Sequence, residues 1–193
     1  MSDRAAQASA EPGREPSCEA DQTGFAAAVA TVLAHEGGYQ AMADDPGNWT
    51  GGKIGAGELK GTKYGISAAQ YPALDIAALT ADEAAAIYRR DWWDRFGLVR
   101  LPPPIAAKLF DAAVNIGIAE AVSALQRALR ASGQRVDEDG KLGDATIAAA
   151  HAVSSALVLP ALREALAGHY RLVAQRNPAQ ARFLTGWLAR AYS

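Results

Sequence analysis

The stretch "LPPPIAAKLFDAAVNIG", residues 101–117, decides the fold because it contains the clearest helix signal in the chain. Its run of prolines breaks the preceding chain and favours a helix start, since proline is preorganised for the first helical position. Ile105, Leu109 and Ala113 follow at helical spacing, which predicts one buried helix face. Gly117 then predicts a bend. The segment is therefore a core helix that ends at a hinge.

Towards the C-terminus the helical pattern continues. A second segment carries Val122, Leu125 and Leu129, and "DEDGKLGDAT" predicts a turn that leads into a helix capped by Asp144. We expect Pro160 to interrupt the next segment. An apolar stripe then follows, and Asn177–Pro178 separates off a last helix.

Towards the N-terminus, the pattern turns helical from Thr23, and a double glycine ends that helix after Glu36. Thr80 and Glu83 form a capping box, which predicts a helix from about Ala81. A short helix is expected to begin at Ser67. Seven glycines in residues 44–66 favour a loop or small β-hairpin. The predicted fold is mainly α with this one small β element.

Composition narrows the function classes. The chain has 193 residues, half of them apolar, and a net charge of −2, which argues against nucleic acid as the partner. Residues 1–22 resemble a disordered tail rich in Ser, Pro, Glu and Ala, and they are not a secretory signal. No apolar run is long enough to span a membrane. The single Cys18 excludes an intrachain disulfide.

Glu36 is the strongest candidate for a catalytic group. It ends an amphipathic helix on the apolar side, where desolvation and the helix dipole both raise a carboxyl pKa, as a general acid requires. The alternative is an ordinary surface glutamate. Asp45 and Thr50 follow in a loop that could fold back over the helix end. A protonated acid paired with a second polar group is typical of glycosidases.

Three other kinds of site are rejected. "GNWTGGKI", residues 47–54, has Ile54 where a phosphate-binding loop needs Ser or Thr, and no strand precedes it. "HEGGY" has Tyr39 where a zinc protease has its second histidine. "DEDGKLGD" lacks the final glutamate of a calcium loop. We therefore expect neither a metal site nor a cofactor.

Two further side chains have open interpretations. Trp92 and Trp93 end the capped helix; one belongs in the core, and the other could stack on a sugar, for which we take Trp93 as the candidate. Asn115 lies on a core-type helix and needs partners, so it is either a structural hinge or a hydrogen-bond donor to substrate.

Five motifs follow one another along the chain: "HEGGY", "DPGNWT", "TKYGIS", "AIYRRDWWD" and "LPPPIAAKLFDAAVNIG". They occur in the order found in glycoside hydrolase family 108, which the chain resembles from about residue 25 onward. "DGKLGDAT" and "FLTGWLARA" resemble that family's C-terminal peptidoglycan-binding region. The resemblance implies a lysozyme-like fold that cleaves peptidoglycan between N-acetylmuramic acid and N-acetylglucosamine.

By this resemblance the catalytic glutamate corresponds to Glu36, and the loop Asp and Thr correspond to Asp45 and Thr50. The segment "GGKIGAGELKGTK" intervenes, so Thr62 could be the equivalent threonine instead. Candidate contacts to the glycan are Tyr39, Thr62, Tyr64, Trp93 and Asn115.

The sequence-based prediction is thus a catalytic region at 23–115 followed by a helical peptidoglycan-binding region at 116–193. The expected partner is the glycan strand of peptidoglycan. We expect the protein to be a monomer that does not insert into a membrane and that reaches the cell wall after release or export. A lytic transglycosylase on the same fold and a non-catalytic wall-binding module remain as alternatives.

Overall fold

The computed structural model describes residues 18–35 and 38–193 of the chain. It is mainly helical, as predicted, with one two-stranded antiparallel sheet. The helices are α1 (Cys18–His35), α2 (Ala81–Tyr88), α3 (Pro103–Ile116), α4 (Ile118–Ala131), α5 (Asp144–Ala152), α6 (Ser155–Arg176) and α7 (Leu184–Tyr192). The strands are β1 (Thr62–Lys63) and β2 (Ile66–Ser67), and shorter 3₁₀ turns lie at Pro46–Asn48, Leu98–Arg100 and Pro178–Phe183.

α3 is the centre of the packing. It contacts α1, α4 and α6, and α7 packs on α6. The predicted inward residues Ile105, Leu109 and Ala113 are all fully buried. One continuous apolar core extends from α1 to α7. Among the described residues, no helix is long and apolar enough to cross a membrane.

Local signals predicted several helix ends correctly. α2 begins at Ala81 with the capping box in place: the Thr80 hydroxyl accepts from the Glu83 amide, and the Glu83 carboxylate accepts from the Thr80 amide. α3 begins at Pro103, and Gly117, with φ +85°, separates α3 from α4. In each case the residues that set the boundary are neighbours in sequence.

The expected start of the first helix at Thr23 is wrong, because α1 already begins at Cys18. Asp21 lies in this extension, inside the stretch that we expected to be a disordered tail. Its carboxylate pairs with Arg89 and accepts a hydrogen bond from the indole N–H of Trp93 at 2.9 Å. These long-range contacts hold the first turns of α1 against the body of the fold. Residues 1–17 lie outside the described part of the chain.

The short helix expected at Ser67 is also wrong. Ser67 ends β2, and only one turn follows, in which the Tyr71 amide donates to the Ser67 carbonyl. The amides of Ala68 and Ala69 are bound by carbonyls elsewhere in the loop, and Pro72 has no amide to continue a helix.

Two expectations for the C-terminal half need correction. The N-cap of α5 is Gly143, and Asp144 is instead the first helical residue, with its carboxylate 2.5 Å from Arg100. Pro160 does not interrupt α6 but lies within it, near its start and exposed to solvent. There its missing amide costs one hydrogen bond at a position where the ring meets little protein.

Candidate active site

Glu36, the strongest sequence candidate, lies outside the described residues, as does Gly37. The structure does fix what flanks them. α1 ends at His35, and the chain continues from Gly38 into a loop that runs to β1. That loop and β1 hold the other candidates: Tyr39, Asp45, Thr50 and Thr62.

Asn48 is the centre of the loop. Its side chain is completely buried and makes four hydrogen bonds. The amide nitrogen Nδ2 donates to Gln40 Oε1 at 2.9 Å and to the Met42 carbonyl at 2.9 Å. Oδ1 accepts from Gln40 Nε2 at 3.1 Å and from Thr62 Oγ1 at 2.7 Å. Both ends of the amide are thus fully used, as a buried amide requires.

The main chain strengthens the same connection. Gln40 and Thr62 exchange two backbone hydrogen bonds, of 2.9 and 2.8 Å, and form an isolated antiparallel bridge. The Asn48 carbonyl accepts from the amides of Lys60 and Gly61, both at 3.0 Å. The chain that follows Glu36 is therefore paired with β1 through backbone and side-chain bonds together.

Asp45 lies at the edge of this network. It caps the 3₁₀ turn Pro46–Asn48, with Oδ1 accepting from the Gly47 amide at 2.8 Å. Its carbonyl accepts from the Asn48 amide at 3.2 Å, so the turn fixes Asp45 relative to Asn48. Asp45 is half-buried. A carboxylate in this position can accept further hydrogen bonds from solvent or a ligand.

The two candidate threonines have different surroundings. Thr62 gives its hydroxyl proton to Asn48 and lies beside Gln40, four residues after Glu36 in the chain. Thr50 closes the intervening loop, since its hydroxyl accepts from the Glu58 amide at 2.9 Å and its own amide donates to the Glu58 carbonyl at 2.9 Å. The two hydroxyls therefore belong to different parts of the loop.

Glycine is required where the loop chains come closest. Gly61 has φ +83°, and a Cβ built there would lie 2.4 Å from the Gln40 carbonyl oxygen and 2.8 Å from the Tyr39 ring. The Tyr39 ring thus lies over Gly61, and 47 % of the residue is exposed. This leaves an aromatic surface available beside the Asn48 network.

Tyr64 lies in the hairpin turn between β1 and β2. It has a left-handed φ of 53°, followed by Gly65 at 75°, as a tight hairpin turn requires. The Tyr88 hydroxyl donates to the Tyr64 carbonyl at 2.9 Å and so ties this turn to α2. Tyr64 is half-buried, with Lys63 Nζ 5.5 Å from its ring centre.

Trp93 is a core residue, which corrects its selection as the sugar-facing tryptophan. It is 2 % exposed, and its ring packs edge-on against Phe25 and Phe110 with centroids 5.4 and 5.7 Å away. The six residues Arg89–Asp94 form a π-helical turn that extends α2 and carries Trp93 inward. Trp92 is the more exposed of the pair and packs on Phe96.

Asn115 is exposed at the end of α3, and its Oδ1 accepts from the Tyr170 hydroxyl of α6 at 2.7 Å. Burial raises the pKa of Tyr170 to about 12, so the phenol stays protonated and donates. Of the two interpretations left open by the sequence, this contact favours the structural one, because the bond joins two helices. The structure does not bring Asn115 or Trp93 together with the Asn48 network.

A charged cluster lies next to the π-helical turn. The Asp91 carboxylate accepts two hydrogen bonds of 2.6 Å from Arg90 and one of 2.7 Å from the Tyr71 hydroxyl. The Arg90 guanidinium, helped by Tyr71, lowers the pKa of Asp91 to about 2. Burial and the bond to Asp91 raise the pKa of Tyr71 to about 12.

The sequence reasoning missed Gln40 and Asn48. Asn48 is the fourth residue of "DPGNWT", and an asparagine between Gly and Trp is a signal for a buried amide that needs partners. Within the part of the chain that the structure describes, no group of three or more His, Cys, Asp or Glu side chains could hold a metal ion.

Comparison with known proteins agrees with this architecture. A family model for glycosyl hydrolase 108 matches residues 29–117, and a model described as a predicted peptidoglycan domain matches residues 120–192. The chain is similar to the solved structure of Brucella abortus SagA at 28 % identity and a TM-score of 0.63, with 88 % of this chain and 90 % of that chain covered. No curated protein matches the chain.

Proposed function

Because a family model for glycosyl hydrolase 108 matches residues 29–117 and a predicted peptidoglycan domain matches residues 120–192, we propose that the protein is an N-acetylmuramidase of the cell wall. In this proposal it cleaves the glycan between N-acetylmuramic acid and N-acetylglucosamine. Residues 23–115 supply the catalytic region, and residues 116–193 bind the wall. The protein acts as a monomer on the glycan strand.

The Asn48 network is the observation that best supports this function. It ties the chain just after Glu36 to the turn that carries Asp45 and to Thr62, with an exposed tyrosine ring alongside. Pre-positioned polar groups next to an aromatic surface suit a sugar polymer. A wall-binding module without catalysis would have no need to fix these particular groups on so well-bonded a loop.

In the proposed mechanism Glu36 is the general acid that protonates the leaving glycosidic oxygen. α1 ends at His35, so Glu36 follows the C-terminal, partially negative end of the helix dipole. A carboxyl group in that role has to carry its proton near neutral pH when the substrate binds. Asp45 is the second carboxylate; it stabilises the positive charge that develops on the sugar ring or holds the attacking water.

We assign the active-site threonine role to Thr62 in preference to Thr50. The Thr62 proton is donated to Asn48, so the hydroxyl lone pairs remain to accept a hydrogen bond from water. Thr62 is also paired with the chain that follows Glu36, whereas the Thr50 hydroxyl is bound by the Glu58 amide. Tyr39 and Tyr64 are the proposed sugar contacts on this side.

Glu36→Gln tests the general acid. Glutamine cannot donate the proton, so lysis of purified cell walls should fall by about 100-fold or more with no change in melting temperature. Glu58→Gln is the matched control, because it removes a loop glutamate whose side chain is 75 % exposed, and it should retain wild-type lysis. Wild-type lysis by Glu36→Gln would refute the assignment.

Mass spectrometry of the wild-type products tests the cleaved bond. A muramidase leaves N-acetylmuramic acid at the new reducing end. New N-acetylglucosamine reducing ends would identify the other glycosidic bond, and anhydromuramyl ends would identify a lytic transglycosylase. Either result would overturn the proposal.

Thr62→Val and Thr50→Val compare the two hydroxyls at nearly constant side-chain volume. We expect kcat to fall by about tenfold or more for Thr62→Val and by much less for Thr50→Val. Both melting temperatures must be measured, because each variant also loses a loop hydrogen bond. The reverse order of activities would transfer the role to Thr50.

A further inference from the structure

A second site lies between the two family regions. It is a cavity of about 270 Å³ lined by α1, α3, α6 and the end of the chain: Ala28, Thr31, Pro104, Ala107, Lys108, Asp111, Leu159, Arg163 and Ser193. Thr31, Pro104 and Ser193 are exposed at its rim, while Lys108 and Asp111 are buried at its floor.

Positive charge dominates the cavity. Asp111 is matched by Arg190, whose Nε donates to Asp111 Oδ1 at 3.0 Å and whose Nη2 lies 3.0 Å from the same oxygen. Lys108 Nζ donates to the Arg190 carbonyl at 2.6 Å and lies 3.7 Å from Asp111 Oδ2. With Arg163 on the wall, three cations lie around two carboxylates, those of Asp111 and of the C-terminal residue Ser193, an excess of one positive charge.

Arg163 has an unused donor. Its Nη2 donates to the Ser193 main-chain oxygen at 2.8 Å, but Nε is buried without a hydrogen-bond partner. No other buried side-chain nitrogen or oxygen among the described residues lacks one. An unpaired buried donor is costly unless a ligand or water satisfies it.

The cations also act on one another. Burial lowers the pKa of Lys108, and the nearby charges of Arg163 and Arg190 lower it further, while Asp111 acts in the opposite direction. An anion in the cavity would relieve this repulsion. The apolar wall of Ala28, Ala107 and Leu159 would accept a small hydrocarbon group next to that anion.

We propose that this cavity binds a peptide carboxylate with a small side chain, as found on the stem peptides of peptidoglycan. The volume is below the roughly 300–1,000 Å³ typical of a pocket for a drug-sized ligand, so it suits the end of a peptide and not a disaccharide. The choice of the stem peptide as the source rests on the proposed function. The carboxylate chemistry rests on the cavity alone.

The site would recognise the peptide while the Asn48 loop addresses the glycan. The Arg163 guanidinium and Lys108 Nζ supply donors to the carboxylate, and the alanine methyls and Leu159 contact the side chain. Because the lining comes from both family regions, the site exists only when they are packed together. Wall binding and catalysis would thus select the same peptide-bearing strand.

Calorimetric titration of the full chain with a synthetic stem peptide that ends in D-alanine tests the inference. Binding should weaken by about tenfold or more when the terminal carboxylate is replaced by an amide, because a hydrogen bond to a charged group is lost. Equal affinity for acid and amide would overturn the proposal, as would undetectable binding of the acid. Inorganic phosphate of equal affinity would overturn the specificity for a peptide carboxylate.

Arg163→Gln should lose about tenfold or more in peptide affinity. Arg171→Gln is the matched control on the same helix, since Arg171 is exposed, lies 3.8 Å from Glu164 and does not line the cavity. Equal losses in both variants would indicate a nonspecific charge effect and overturn the assignment.

A parallel assay separates this inference from the proposed function. Wild-type cleavage of glycan chains stripped of peptide reports on the glycosidase alone. Cleavage without peptide binding would refute the cavity assignment and leave the proposed muramidase activity standing. Peptide binding without cleavage would refute the muramidase activity and leave the cavity assignment standing.

Discussion

Removal of the Asn48 side chain is the most direct test of the loop architecture. Asn48→Ala eliminates four hydrogen bonds at once and leaves the Gln40 amide, the Met42 carbonyl and the Thr62 hydroxyl to find new partners. At about 1 kcal/mol per bond the upper limit is about 4 kcal/mol. The three residues that bond to Asn48 are exposed or half-buried, so water can replace some of the lost hydrogen bonds. We expect about 2–3 kcal/mol of destabilisation.

For a chain of this size, 1 kcal/mol corresponds to about 2–4 °C in melting temperature, so Asn48→Ala should lower it by about 4–12 °C. Asn177→Ala is the control, because Asn177 is exposed and its side chain makes no capping hydrogen bond. The rate of wall lysis by Asn48→Ala, measured well below its melting temperature, should fall because its kcat is lower. A melting temperature within about 2 °C of wild type with unchanged lysis would refute the role of the network.

Asn48→Asp refines the test. The new carboxylate faces the Met42 carbonyl, which cannot reorient to donate, so the charged form is disfavoured and the pKa of the introduced group rises. Its cost therefore grows as pH rises through that pKa. Relative to wild type, Asn48→Asp should be less destabilised at pH 4 than at pH 7; the opposite order would contradict the donor role of Nδ2.

Three further predictions concern stability. Gly61→Ala should lower the free energy of unfolding in urea clearly more than Gly55→Ala. Both glycines have a positive φ, which costs alanine about 1–2 kcal/mol, but only the Cβ at Gly61 would clash with another segment of the loop. Equal costs for the two variants would exclude that clash. The pKa of Asp91 in the folded protein lies below its usual 3.8, at about 2, so its ion pair stabilises the fold fully above pH 4 and is lost as pH falls through 2. Asp91→Asn should lack this loss of stability in acid. An unchanged dependence of the unfolding free energy on pH in that variant would contradict the prediction. Tyr170→Phe should cost about 1 kcal/mol through the bond to Asn115, and Tyr192→Phe, at an exposed site, should cost less.

The parts of the fold that the sequence predicted are those set by neighbouring residues. The Thr80 capping box, the start of α3 at Pro103 and the bend at Gly117 each depend on contacts within a few positions. The failures depend on distant partners. α1 begins at Cys18 because Asp21 meets Arg89 and Trp93 about 70 positions away. No local pattern carries that information.

The candidate site divides in the same way. Asp45, Thr50 and Thr62 could be selected because their residue types and order match a family pattern. Asn48 could not be given its central position, because its bonds to Gln40 and Thr62 depend on a backbone register set across a glycine-rich loop. The fate of Trp93 was equally hidden, since a π-helical turn decides which of two adjacent tryptophans points inward.

The two family regions form one physical unit. The boundary between them falls at Gly117, but the buried charges of α3 are satisfied from beyond it: Arg190 neutralises Asp111, and its carbonyl accepts from Lys108. Both α3 residues are more than nine-tenths buried, and a buried charge that loses its partner costs several kcal/mol. The C-terminal region therefore cannot separate from α3 without exposing these buried charges or leaving them without partners. The regions matched by the two family models accordingly move as a rigid pair rather than as two domains on a linker.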